Sequence, residues 1–210
     1  MAQKNKKKRQ FIFEVRRKAV HVAFGTTIAF LIYYELFFLP LWLAILLLGF
    51  LLSHFLKKGF KLPFLHDFVF SFGREKEIKK YPLKGALFFL LGGILSYIIF
   101  EPEVAVFAIL TLIVGDTTAA LYGIYFGKIK SPINPKKHID ATFVGVFANT
   151  FFALVILPFA FWQVFLASLI GLFSESIMPF DKVEGGIIGF FFDDNIFIPL
   201  IVGLSLFFLM

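Results

Sequence analysis

The sequence predicts an all-α fold: a polytopic transmembrane helical bundle of about seven spans, with the N-terminus on the cytoplasmic side. Three observations predict it. The 210 residues are 59% hydrophobic and include 33 phenylalanines, more apolar surface than one small water-soluble core can hide. Apolar runs approaching the roughly 20 residues needed to cross a hydrocarbon core recur along the chain, with charged or Pro/Gly breaks between them. Finally, all 21 Lys and Arg residues fall in breaks that alternation assigns to one side, as the positive-inside rule requires.

Taken in order, the start MAQKNKKKRQ is basic like the n-region of a signal peptide. The apolar stretch behind it is long, holds His21 and shows no small-residue cleavage site, so it reads as a retained first span at approximately 19–38 behind a basic cytoplasmic tail, 1–18. Further spans follow at approximately 39–56, 83–100, 103–126, 141–162, 163–178 and 186–210. The second and sixth are short. The breaks holding Lys and Arg are the tail through Lys18, an amphipathic loop at 57–82 reaching to Lys84, a basic loop at 127–140, and Lys182. Opposite-side breaks carry Glu101 and Glu103 around Pro102, or no charge at all between Pro158 and Gln163. In the 57–82 loop Phe60, Phe64, Phe68, Phe70 and Phe72 suit an interfacial helix. Trp42 and Trp162 stand near span ends, where aromatic belts form. The whole, 1–210, reads as a single multi-pass integral-membrane domain without an internal repeat.

Cysteine is absent, which excludes disulfides, thiolate metal sites and thiol catalysis. The net charge of +7 is dispersed over short loops, a pattern that suits anionic headgroups and nucleotide phosphates and argues against nucleic acid.

Ionisable groups within spans are costly and mark function by default. Asp116, Glu175, Asp193 and Asp194 are such groups, with His21 just inside the first span. All fall in the cytoplasmic half, facing the basic loops. Carboxylates opposite Lys and Arg suit a polyanion with a divalent cation. Asp116 is followed by Thr117, Thr118, Ala119 and Ala120, small residues that permit close packing or ligand approach. Gly123-x3-Gly127-Lys128 has one residue too few for a Walker loop and Ile129 in place of its Ser or Thr. His54 and His66 lack companions at metal-ligand spacing, and Gly92 and Gly93 read as packing glycines. Without a His-Glu-x-x-His or Gly-x-Ser-x-Gly motif, direct phosphoryl or nucleotidyl transfer is the chemistry left.

The opening Glu14-x2-Arg17-Lys18-x2-His21-x3-Gly25, then Arg74 and Lys84-Gly85, and the central Gly115-Asp116-x2-Ala119-Ala120-x2-Gly123-x2-Phe126-Gly127-Lys128 together resemble the polyprenol kinase family of dolichol, phytol and CTP-dependent diacylglycerol kinases. The resemblance runs nearly end to end, closing on Glu175 and Asp194-Asn195-x3-Pro199. Where the family has a Lys-rich turn and Glu-Gly-Ser, this chain reads Lys136-Lys137-His138-Ile139-Asp140-Ala141-Thr142, so Ala141 departs from the pattern. The resemblance implies a Mg²⁺-dependent kinase that uses CTP to phosphorylate a long-chain isoprenoid alcohol at the cytoplasmic face. For such a kinase Asp116 and Asp194 are expected to hold Mg²⁺ on the triphosphate, with Asp193 and Asn195 as nearby ligands or as partners that orient the ligands. Arg17, Lys18, Lys128, Lys136, Lys137 and Thr142 would bind the nucleotide, and Asp140, Glu175 or His21 would orient or deprotonate the alcohol.

Two other readings stay open. The central stretch with Ser131-Pro132 is also similar to phosphatidate cytidylyltransferases, whose closing Asp- and His-rich signature is missing here. An ion-coupled transporter could also bury Asp116, Glu175 and Asp193, though it would more often show inverted halves and a midplane site.

Overall fold

A computed structural model describes residues 2–60, 73, 78, 81–177 and 193–210. Among these residues it is all-helical, with seven helices and no strand. The bulk of the expected 57–82 amphipathic loop, with His66 and Arg74, lies outside the described residues, as do Lys182 and 186–192 of the last expected span.

Helix α1 spans Ala2–Tyr33. At about 1.5 Å per residue it is longer than the roughly 30 Å of a hydrocarbon core. Residues 2–18 of the expected basic tail are helical and continuous with the first span, since no proline or glycine interrupts the helix before Gly25. Helix α2, Leu39–Lys57, opens with Pro40, whose fixed φ suits the first turn, and is followed by Gly59 at φ +89. Helix α3 is Lys84–Ile99.

Helix α4 runs Pro102–Tyr125. Its middle, Thr111–Asp116, winds as a π-helix between two α-helical ends, a local widening that is rare and frequent at functional sites. Helix α5 is Ile139–Ile156, and Leu157 leaves it in extended conformation because Pro158 follows. Helices α6, Phe161–Ile177, and α7, Asp194–Leu209, complete the bundle. The side chain of Asp193 caps α7 by accepting from the Asn195 amide at 3.1 Å.

By length and composition α2, α4 and α5 can each cross a membrane, while α3, α6 and α7 are apolar but shorter. Helix α4 is the hub: 67% of its apolar window is buried, against 11% for α2. It contacts α1, α3, α5 and α7, with α6 reaching its π segment; α7 packs on α6 and α3. Phe89, Phe107, Ile28, Ile32 and Ile109 fill the centre, and phenylalanines such as Phe147, Phe151 and Phe208 face outward, as lipid-facing side chains do.

Two close approaches require glycine. A Cβ on Gly92 of α3 would collide with the backbone carbonyl of Asn195 in α7, and one on Gly145 of α5 would stand 2.5 Å from the carbonyl of Gly115 in α4. Both contacts set helices at the polar site.

Candidate functional site

The polar groups converge where α1, α4, α6 and the loop before α5 meet. Lys18 and Asp116 are 3% and 6% exposed, and the Lys18 ammonium donates to Oδ2 of Asp116. Lys137 donates to Glu175 and stands 3.7 Å from Oδ1 of Asp116. The result is a chain of alternating charges, Lys18, Asp116, Lys137 and Glu175, drawn from four parts of the sequence. Burial alone would favour a neutral Lys137, yet Glu175, Asp116 and Asp194 together hold its ammonium protonated well above the ordinary lysine range.

A second group adjoins it. Lys84 pairs with Oδ2 of Asp193 at 2.9 Å. The Asn195 amide donates to Oδ1 of Asp193 at 2.9 Å and Oδ1 of Asp194 at 3.2 Å, and its own Oδ1 meets Nε2 of His21 at 3.3 Å. His21 also stands edge-on to Phe89, 5.0 Å between ring centres. Asn195 thus links His21 of α1 to both acids of α7.

The loop between α4 and α5 is a small strap. Lys130 and His138 form an isolated antiparallel bridge, and the carboxylate of Asp140 accepts from the backbone amides of Lys128 and Ile129 at 2.8 and 3.4 Å. The Ser131 hydroxyl donates to the carbonyl of Ser176 at 2.7 Å. Thr142 donates to the carbonyl of His138 at 3.1 Å and shares a 2.7 Å hydrogen bond with the Ser176 hydroxyl. These bonds tie the strap to the end of α6, so Lys137 and Glu175 are held by the same scaffold.

Beneath the strap lies a cavity of about 360 Å³, within the usual range for small-molecule sites. Its floor is small, with Ala119, Ala120, Gly123 and Gly127. Four lysines, Lys7, Lys130, Lys136 and Lys137, line it against one carboxylate, Glu175. That excess of cationic groups suits a polyanion.

Of the residues singled out in the sequence, Lys136, Lys137, Thr142 and Glu175 line this cavity, and Lys18 and Asp116 stand beside it through Lys137. Arg17 pairs with Glu14 at 2.8 Å on α1. Lys128 is exposed and engages Asp140 through its backbone. Asp193, Asn195 and His21 form the adjoining group. Sequence reading missed Lys84 as the partner of Asp193, and Lys7, Gln10, Lys130 and His138 as cavity lining. It also missed a wholly buried Asn149, whose amide donates to Thr111 at 2.9 Å and Ser168 at 2.8 Å and so fastens the π segment to α5 and α6. Asn149 sits in an apolar run, where only the rarity of a buried amide marks it.

Among the described residues there is no group of three or more His, Asp or Glu able to cage a metal. Mg²⁺ asks for less: one or two carboxylates, with phosphate oxygens and water completing its shell. Asp116 and Asp194 both act electrostatically on Lys137 and Glu175, and the residue after Asp116, Thr117, carries a buried hydroxyl without a hydrogen-bond partner. A carboxylate next to an unpartnered hydroxyl is a donor set of the kind such an ion takes, while both oxygens of Asp116 face lysines in this structure.

The chain is 33% identical over 193 residues to the uncharacterized protein MJ1137 of Methanocaldococcus jannaschii, 90% of each chain. It is 28% identical over 145 residues to the CTP-dependent diacylglycerol kinase 1 of Schizosaccharomyces pombe, spanning 64% of that relative and 64% of itself. No protein-family model matches the chain, and no solved structure does.

Proposed function

We propose that this chain, which belongs to one family with the uncharacterized M. jannaschii protein, is a lipid-alcohol kinase that transfers the γ-phosphoryl group of CTP to a long-chain isoprenoid alcohol. The observation that carries the reading is the lysine-lined cavity abutting the buried chain of Lys18, Asp116, Lys137 and Glu175. Similarity to the CTP-dependent diacylglycerol kinase 1 of S. pombe supports CTP as the donor.

In this reading all seven helices insert in the bilayer, with the N-terminus, the strap and the cavity on the cytoplasmic side. The segregation of Lys and Arg supports that orientation. Lys130, Lys136 and Lys137 take the triphosphate, and the small floor of Ala119, Ala120 and Gly123 admits it close to α4. Asp116 and Asp194 are the residues that would hold Mg²⁺, which when bound neutralises charge on the β- and γ-phosphates. The lipid hydroxyl attacks the γ-phosphorus, the bond to the β,γ-bridging oxygen breaks, and CDP leaves. Glu175 is the one of the three candidate bases that lines the cavity, so it orients the hydroxyl or accepts its proton. Asp140 has its carboxylate on the strap amides, and His21 orients the adjoining group through Asn195. The isoprenoid tail lies along outward-facing apolar helix faces.

The test is transfer of label. Purified protein with Mg²⁺ and CTP labelled in its γ-phosphate is offered polyprenols, dolichols, geranylgeraniol, phytol, diacylglycerol and phosphatidate. Label in an isoprenoid monophosphate is the expected result. Label in phosphatidate formed from diacylglycerol would keep the kinase and change its substrate. Labelled pyrophosphate with a CDP-lipid would make the protein a cytidylyltransferase, and ion-coupled uptake into liposomes without any transfer would make it a transporter.

A further inference from the structure

The first turns of α1 carry eight Lys and Arg residues by Lys18, which a positive-inside signal alone would explain. Their placement on the helix is not uniform. Lys7, Phe11, Glu14, Lys18, His21 and Gly25 follow one another in steps of four and three, so they share one helix face. That face continues into Ile28 and Ile32, both fully buried. It is the side of α1 that packs into the bundle. Phe11 confirms the rotation at the basic end, edge-on to Tyr125 of α4 with 4.5 Å between ring centres. Lys7, one turn before Phe11, accordingly lines the cavity, and Gln10 does too. Lys7, Lys8, Arg9 and Gln10 are all exposed, and of these four Lys7 and Gln10 line the cavity while Lys8 and Arg9 do not.

We infer that Lys7 and Gln10 are ligand-binding residues: the cytoplasmic turns of α1 form one wall of the nucleotide pocket, with Lys7 on the polyphosphate and the Gln10 amide hydrogen-bonding beside it. The inference rests on the reading that this cavity takes CTP. It divides the basic segment in two. Lys7 serves the ligand, while Lys8 and Arg9, on the other face, serve orientation and anionic headgroups. The chemistry is that of a flexible cationic stem reaching phosphate oxygens from the mouth of the pocket, opposite Lys136 and Lys137. Because Lys18 and Lys7 stand on one rigid helix about three turns apart, the same element that neutralises Asp116 positions the outer phosphate contact.

The experiment is equilibrium binding of CTP to the full chain in uncharged detergent, with inorganic tripolyphosphate as competitor, so that no anionic lipid contributes. Lys7→Ala is expected to weaken CTP and tripolyphosphate about tenfold, the loss of one charge-assisted contact. Lys7→Arg should retain binding within about threefold, and Gln10→Ala should weaken CTP by roughly threefold. Lys8→Ala and Arg9→Ala remove the same charge and should leave the Kd within about twofold. Equal losses in Lys7→Ala and Lys8→Ala would reduce the effect to overall charge and overturn the inference. If Lys136→Ala weakens CTP binding while Lys7→Ala does not, the wall assignment falls and the cavity stands as a nucleotide site. No saturable binding of CTP or tripolyphosphate by the unaltered protein would overturn both.

Discussion

Replacing Lys18 and Asp116 singly and together tests whether the centre of the site is a pair whose members need each other. They lie 98 residues apart, on α1 and α4, at 3% and 6% exposure. Stranding one charge of a buried pair costs about 3–5 kcal/mol, whereas exchanging both for apolar residues of similar volume is often close to neutral. Lys18→Met leaves Asp116 with Lys137 at 3.7 Å, so its cost falls at the lower end, about 3 kcal/mol. Asp116→Leu takes away the carboxylate that pairs with Lys18 and also opens one side of Lys137, so its cost is about 5 kcal/mol. The double variant should lose only about 2 kcal/mol, a coupling of several kcal/mol. At roughly 2–4 °C per kcal/mol for a chain of this size, Tm should fall by about 6–12, 10–20 and 4–8 °C respectively. Thermal unfolding followed by circular dichroism in detergent micelles reads these shifts. All three variants should lack transferase activity, the double variant while folded. A double variant as unstable as the sum of the singles, or singles each within about 1 kcal/mol of the parent, would refute the reasoning.

Further outcomes follow from the same geometry. Asp116→Asn should abolish turnover, because a carboxylate for the metal is lost, while His21→Ala should lower kcat by no more than about 10²–10⁴-fold; rates of the purified variants with labelled CTP decide. Chelation should stop transfer and added Mg²⁺ restore it, with Tm almost unmoved, since the described residues hold no protein cage for the ion. Gly92→Ala drives a methyl into the Asn195 carbonyl, so Tm should fall by an amount matching about 1–3 kcal/mol, with activity falling as Asn195 shifts from His21. Asn149→Ala withdraws the amide from Thr111 and Ser168, whose hydroxyls keep their backbone acceptors Phe107 and Val164, and should cost about 1–3 kcal/mol by thermal unfolding.

Much of this was legible in order along the chain. Apolar runs and their punctuation locate the apolar part of each helix among the described residues, though not the basic first half of α1, because burial in lipid or bundle demands continuous apolar surface and Pro102, Pro158 and the glycine after α2 stop helices locally. Unpaired-looking acids inside those runs pointed to Asp116, Glu175, Asp193 and Asp194, since a charge in such a setting needs a partner. The partners themselves were not legible. That Asp116 faces Lys18, that Lys137 bridges it to Glu175, and that Lys84 answers Asp193 depend on how helices distant in sequence rotate against each other. The same holds for the first turns of α1, where a run of like charges gives no sign of which lysine borders the cavity until Phe11 meets Tyr125. The sequence by itself therefore determined the helices, their apolar character and which residues were too polar for their surroundings, because those follow from local propensity and solvation. Only the tertiary structure decided which charge meets which and where a cavity remains, because helix rotation, the π turn before Asp116 and the close approaches at Gly92 and Gly145 are settled by packing between elements.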